Sequence, residues 1–427
     1  MENQKLPEAI VHVLDQVKAV FSEEPKLYET FRNCYTNTWN TAVRKREDHT
    51  SYIVTGDIPA MWLRDSAASL RPYLIPARED EEIADILVGT VRRQFQYICI
   101  DPYANAFNEE PNGNCWEQDE TEMNDWLWER KYEVDSLCYP IQFAWLIWKN
   151  TGRTDLFDAV FERGVRKILE VFRTEQYHEE KSGYRFIRRN TYYTDTLSRD
   201  GKGALVKSGI GMTWSGFRPS DDACTYGYLV PSNMFAVVVL GYLEEIAGQV
   251  LKDRALAEEA RKLKDEIYEG IENYAITVKE EYGEVYAYEV DGYGQFYLMD
   301  DANVPSLLSM DYLGYRGRSR RVAENTRRLI LSEANPFYYK GKRGAGIGSP
   351  HTRVNYIWHI ALCMQGLTAK TRAEKKAMID LAASTDGGKG LMHEGFDAED
   401  DTRYTRPWFA WANAMFSELV LDYCGVK

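Results

Sequence analysis

The sequence has little cysteine and no pattern in it. Cys34, Cys99, Cys115, Cys138, Cys224, Cys363 and Cys424 stand singly, odd in number and without a CxxC pair. That excludes a zinc knuckle and a disulfide framework, and it fits reduced thiols in a cytosol. Positive charge is also short. A formal net charge of −14 leaves no basic footprint for nucleic-acid phosphates or anionic lipid, so a neutral partner suits the chain better. No basic leader with an apolar core opens it. Met1 to Glu24 instead spaces Ile10, Val13, Leu14, Val17, Val20 and Phe21 as an amphipathic helix does. The longest apolar stretch, around Phe235 to Tyr242, falls far short of the roughly 20 residues of a membrane span. There is no low-complexity linker and no Pro/Ser-rich hinge. Together these absences predict a soluble, cytoplasmic protein folded as a single domain over residues 1–427, with no nucleic acid or membrane as partner.

What is present is a globular balance, 44% hydrophobic and 28% charged residues, enough to bury a substantial core. The 3.6-residue periodicity predicts helices near 28–45, 63–76, 82–99, 133–149, 155–176, 231–249, 253–278, 302–312, 317–333, 353–368, 371–386 and 407–422. Short turns such as 76–81, 150–154 and 366–370 alternate with long loops, so that every second helix is entered through a long loop. Antiparallel neighbours joined in this way place all the long loops on one rim. The helices entered from those loops are the more apolar ones (LVPSNMFAVVVLG, Leu229 to Gly241), while Arg254 to Glu269 and Ala373 to Ala383 are amphipathic and charged. The expectation is an all-α fold, an (α/α)6 toroid of inner and outer helices, with a minor β hairpin in the rim loop at Tyr184 to Thr196.

The unusual residues collect in the long loops: GDIPAMWLRD (Gly56 to Asp65), EEPNGNCWE (Glu109 to Glu117), TWSGFRPSDD (Thr213 to Asp222), GQFYLMDDAN (Gly294 to Asn303), SPHTR (Ser349 to Arg353) and HEGF (His393 to Phe396). Carboxylates, Arg, Asn and aromatics in one neighbourhood are what a sugar asks for: forked hydrogen bonds to vicinal hydroxyls, and flat faces against C–H patches. Cleaving a glycosidic bond needs one carboxylic acid to protonate the leaving oxygen and one carboxylate to activate water or attack. Asp57, Asp65, Glu117, Asp221, Asp222, Asp300, Asp301 and Glu394 are all candidates, and spacing alone does not choose two. Asp221, after a Pro219-Ser220 turn and among Trp214, Phe217 and Tyr226, has an apolar setting that would raise a carboxyl pKa. Glu394 follows the glycine-rich Asp386 to Gly390, a backbone able to bring a carboxylate into a tight cavity.

Other features read more plainly. Arg64 and Asp65 are either a grip on a hydroxyl pair or an ion pair at a helix start; Trp62 and Trp214 either stack on a sugar or belong to the core; Asp301 and Asn303 either cap a helix or touch ligand. His351 and His359 have no third ligand at metal spacing, so no metal is expected there; His351 with Arg353 reads as a sugar contact and His359 as a core histidine. GKRGAGIG (Gly341 to Gly348) fails the phosphate-loop patterns and reads as a flexible rim loop, and the acids Asp397 to Asp401 read as a solvated face. A sugar epimerase on the same toroid would lean on a histidine pair, and a binding protein would carry a dead site.

The run TGDIPAMWLRDSAASLRPYL (Thr55 to Leu74), with FRPSDDAC (Phe217 to Cys224), MDDANVPSLL (Met299 to Leu308) and HEGF, resembles glycoside hydrolase family 125, the exo-α-1,6-mannosidases, over nearly the whole chain. The resemblance implies an (α/α)6 fold and removal of non-reducing terminal mannose from oligosaccharides such as N-glycans. It further implies inversion at the anomeric carbon, with no metal and no other cofactor. It places the general acid on an Asp of FRPSDD, which becomes Asp221 although the motif alone does not separate it from Asp222, and the general base on Glu394. Trp62, Arg64, Asp65, Trp214, Asp301, Asn303, His351 and Arg353 are the expected substrate-binding residues.

Overall fold

The computed structural model describes residues 6–426. Thirteen helices organise it: α1 (Glu8–Val20), α2 (Pro25–Asn37), α3 (Leu63–Leu70), α4 (Glu81–Ile100), α5 (Val134–Thr151), α6 (Ala159–Glu175), α7 (Val230–Ile246), α8 (Arg254–Tyr274), the single turn α9 (Met310–Leu313), α10 (Arg320–Ile330), α11 (His359–Leu367), α12 (Arg372–Ser384) and α13 (Ala410–Cys424). An inner ring runs through α3, α5, α7, the segment ending in α9, α11 and α13, and it closes where α13 packs on α3. Each inner helix turns back tightly into an outer one, α7 against α8 and α11 against α12, while α13 packs against α2. The toroid expected from alternating loop lengths is the observed architecture.

The two rings differ because their sequences do. Every residue of α3 is buried, and α7 is wrapped on most sides. On outer α8 only a stripe is buried, with Leu256, Ala260, Leu263, Ile267 and Ile271 facing inward at helical spacing. Four outer helices, α4, α6, α8 and α12, start with side-chain caps: Asp80 accepts from the Ile83 amide, Asp158 from Val160 and Phe161, Asp253 from Ala255 and Leu256, and Thr371 from Glu374. Inner α3, α7 and α11 start without one, because each grows straight out of a short strand: Met61–Trp62, Tyr228–Leu229 and Tyr356–Trp358. These strands belong to three small antiparallel sheets, which tie them to Ala106–Phe107 and Leu127–Glu129, to Glu289–Val290 and Phe296–Tyr297, and to Gly395–Asp397 and Asp400–Tyr404. The rim loops are thus clamped in pairs, and the positive ends of the inner helices point toward the rim.

Five expectations are corrected. The span 302–312 is helical only from Met310, because Pro305 lacks an amide hydrogen and the carboxylate of buried Asp300 takes the amides of Leu307 (2.8 Å) and Leu308 (3.0 Å), replacing a helical turn. The helix expected over 353–368 begins at His359, since Tyr356–Trp358 pairs as a strand with Gly395–Asp397. Tyr184 to Thr196 forms no hairpin; Ile187 bridges Glu120, and Tyr193–Asp195 is a 3-10 turn. Hairpins stand elsewhere, at 276–286 and at 338–347, so Gly341 to Gly348 is paired strand and not a flexible loop. On length and composition the continuous helix Val230–Leu251 is also apolar enough to cross a membrane, contrary to the estimate from its longest unbroken run. Here it is an inner helix packed between α5 and α8, with Glu244 paired to Lys264 at 2.6 Å.

Candidate active site

The rim loops surround a cavity of about 540 Å³ at the centre of the ring. Trp62, Arg64 and Asp65 reach it from the start of α3, Asp221 from the turn 218–222, Asn303 from the segment before α9, His351 from the loop before α11, and Glu394 from the loop before α13. Trp116, Trp358, Phe409 and Trp411 supply apolar walls. Of the residues expected from sequence, these seven meet in one place. Three do not. Trp214 is a core residue whose indole stacks on His178 at 3.7 Å. Asp301 is buried beside the cavity, accepting from Asn303 and from the Ser349 hydroxyl at 3.1 Å. Arg353 is exposed and off the cavity wall.

Arg64 organises the floor. Its guanidinium is 3% exposed and meets four carboxylates: Glu133 (2.6 Å), Asp135 (3.2 Å), Asp221 (3.3 Å) and Asp65 (3.4 Å). A buried cation is tolerated only when so surrounded, and the same holds for the acids. Thr55 gives its hydroxyl hydrogen to Asp65. Burial raises the pKa of Glu133 well above the ordinary value and that of Asp135 to about 6, with Arg64 opposing in both cases.

Asp221 sits at φ 68°, a left-handed conformation few non-glycine residues adopt. The turn that imposes it is closed by Asp221 N–H to Arg218 O (2.9 Å) and Arg218 N–H to Asp222 O (2.8 Å). Arg218 is itself fixed by Glu289 at 2.6 Å, and the other Glu289 oxygen takes the amides of Thr225 and Tyr226. The two adjacent acids are thereby sent different ways. Asp221 opens onto the cavity with 26% of its side chain exposed, whereas Asp222 is turned under it, against His351 Nδ1 at 3.0 Å. The apolar environment expected for Asp221 is not what it has. Burial acts to raise its pKa, but Arg64, the hydrogen bond with Glu133, Lys131 and His351 outweigh it and hold the group below the usual carboxylate range. Lys131 donates to the Asp221 backbone oxygen (2.8 Å) and pairs with Asp195 (2.7 Å).

Glu394 is carried by backbone pairing. Its own amide donates to Thr405 O, and the Thr405 amide returns to Gly395 O at 2.8 Å. Next to it, His393 stacks on Tyr404 at 3.7 Å and anchors through Nε2 to Asp386 O. A Cβ on Gly395 would come within 3.0 Å of the Trp358 indole, so glycine keeps that wall close. Among the described residues no protein group donates to the Glu394 carboxylate, which is open to the cavity. His351 lines the same cavity and meets Asp222. Burial lowers its pKa, but Asp222 and then Glu394 and Asp221 raise it to about 10, so it is cationic at neutral pH.

Several members of the site were not picked out from sequence: Asn105, Glu129, Lys131, Glu133, Asp135 and Arg188. The signal was present in ERKYEVDS (Glu129 to Ser136), where charged residues run straight into an apolar inner helix just as LRDS does at the start of α3.

A toroid of paired helices with carboxylates, arginine and tryptophans around one central cavity is the setting a glycoside hydrolase needs. The comparisons with known proteins name the kind. Residues 24–421 match the family of metal-independent α-mannosidases, GH125, and this chain belongs to that family. It is 36% identical over 436 residues to the meiotically up-regulated gene 157 protein of Schizosaccharomyces pombe, across 97% of this chain and 85% of that one. A Streptococcus pneumoniae metal-independent α-mannosidase, solved in a non-productive complex with α-1,6-mannobiose, is 49% identical and superposes with a TM-score of 0.96 over 99% of both chains. The Saccharomycopsis fibuligera glucoamylase, at 12% identity and a TM-score of 0.57 over 100% of this chain and 98% of that one, shares the fold alone.

Proposed function

We propose that this α-mannosidase is an exo-acting, inverting α-1,6-mannosidase, with Asp221 as general acid and Glu394 as general base. The observation that carries the reading is that two carboxyls from different loops open into one cavity in contrasting settings: Asp221 shares the donors Arg64 and Asn105 with a second carboxyl, Glu133, and among the described residues no protein group donates to Glu394. The first has access to a proton; the second is free to take one from water. As the bond from C1 to the leaving oxygen breaks, its electron pair goes to that oxygen, which receives the Asp221 proton. Water activated by Glu394 attacks C1 from the opposite face. Inversion needs about 6.5–9.5 Å between the two carboxyls, room for that water. Arg64 stays with the floor carboxylates, and Asp65, Asn303 and His351, which line the cavity, are the proposed contacts to sugar hydroxyls, with the indoles of Trp62, Trp358 and Trp411 as walls.

The α-1,6 linkage is supported by the mannobiose held by the S. pneumoniae relative, and mannose-terminated oligosaccharides such as N-glycans are the proposed substrates. Seven unpaired cysteines suit a cytoplasmic setting. Mannose release from α-1,6-mannobiose, with EDTA throughout, should exceed that from the α-1,2 and α-1,3 isomers at least tenfold. Equal rates on the three would reject the linkage assignment.

A further inference from the structure

We infer that Glu133 is the proton partner of Asp221: buried behind the acid, it shares one proton with it, so that the pair carries a single charge and the acid has a hydrogen to give. This rests on the assignment of Asp221 as general acid and deepens it.

The geometry comes first. The two carboxyls stand side by side, each within reach of the same Asn105 amide nitrogen, and two buried carboxylates so close do not both stay ionised, so one of them carries hydrogen. The same two side chains grip both. Arg64 reaches Glu133 at 2.6 Å and Asp221 at 3.3 Å, and the Asn105 amide reaches them at 3.5 Å and 3.3 Å. Ser136 adds a third donor to Glu133 at 2.6 Å.

The surrounding charges agree. Asp65 from α3 and Asp135 from α5 already share Arg64. Lys131 is faced by Glu129 and Asp195, and His351 by Asp222. Carboxylates outnumber cations in this cluster, and two of them in contact titrate as a unit with one proton retained. Glu133 is fully enclosed while Asp221 is partly open, so at rest the neutral form belongs to the deeper group. In the form that reacts, the proton is on Asp221 and Glu133 keeps its charge beside Arg64. Once the leaving oxygen has taken that proton, the one Glu394 removed from water returns through solvent to the pair. Glu133 does not line the cavity, so it is a positioning residue.

The test is leaving-group dependence in Glu133→Gln. The amide donates to Asp221 but stores no proton, leaving Asp221 ionised beside Arg64 and Lys131. On α-1,6-mannobiose, whose leaving group needs protonation, kcat/KM should fall about 100-fold, the low end of what a positioned general acid contributes. The alkaline limb of the pH profile should move to lower pH. On 2,4-dinitrophenyl α-mannoside, whose leaving group needs no proton, the rate should stay within about threefold. Equal losses on both substrates, or no loss on either, would overturn the inference. Ser136→Ala is an independent arm that removes one donor from Glu133 and leaves both carboxyls in place; its alkaline limb should move to higher pH, and an unmoved limb contradicts the sharing. Asp221→Asn run alongside separates the two claims. If it too slows both substrates equally, the acid assignment fails and this inference with it; if it spares only the activated substrate while Glu133→Gln does not, Glu133 alone is wrong.

Discussion

The turn at Asp221 shows how neighbouring acids in one sequence motif come to different surroundings. Asp221 and Asp222 are adjacent and chemically alike, yet the left-handed turn at Asp221 opens one onto the cavity and turns the other under His351. Asp221→Asn and Glu394→Gln should each lower kcat on α-1,6-mannobiose by about 1000-fold or more while mannose binding by calorimetry persists, since each removes a proton-transfer group and leaves the walls intact. Asp222→Asn should act more mildly, through His351. That histidine also gives a stability signature. Its folded pKa of about 10 lies above its ordinary 6.5, so the folded state binds more protons than the unfolded between those values, and the stabilisation present below pH 6.5 is lost as pH rises toward 10. A third of the ring is exposed, which tempers the size but not the sign. Melting temperatures measured from pH 7 to 10 should fall more steeply for the wild type than for His351→Gln; parallel curves would contradict the protonated state.

At the scale of elements, what could be read from sequence followed hydrophobic periodicity, and what could not followed polar detail. Helices α4, α7, α8 and α12 lie close to their expected spans because an apolar stripe or an apolar run announces them. The 302–312 segment shows the same apolar residues but is governed by Asp300, a tertiary partner that periodicity does not see. Asp300→Ala should leave the Leu307 and Leu308 amides without an acceptor and cost about 2–4 kcal/mol, read as a shift in the urea midpoint. A midpoint within error of the wild type would show that the segment does not depend on it. The site divides the same way. Residues with distinctive neighbours in sequence, Asp221 and Glu394 among them, were legible, whereas Glu133 and Asn105 acquire meaning only when two loops meet. Trp214 misled because an indole beside FRPSDD looks like a sugar platform, and its burial against His178 is set by the 176–214 loop.

Across the whole molecule, the closed ring is what allows chemistry from widely separated loops to converge. α3 brings Arg64 and the 393–405 segment brings Glu394, each clamped to neighbouring loops by a small sheet, while the Arg218–Asp222 turn, closed by a Phe217–Ala223 bridge, brings Asp221. Gly56 shows how tight the closure is: at φ 138° a Cβ there would lie 2.4 Å from the Trp408 carbonyl oxygen, where the first rim loop meets the last. The central claim is that Asp221 and Glu394 face one sugar from opposite sides with a water between base and anomeric carbon. A proton NMR time course of α-1,6-mannobiose hydrolysis tests it most directly. β-Mannose should appear first and then mutarotate toward the equilibrium mixture; α-mannose as the first-formed anomer would contradict the arrangement.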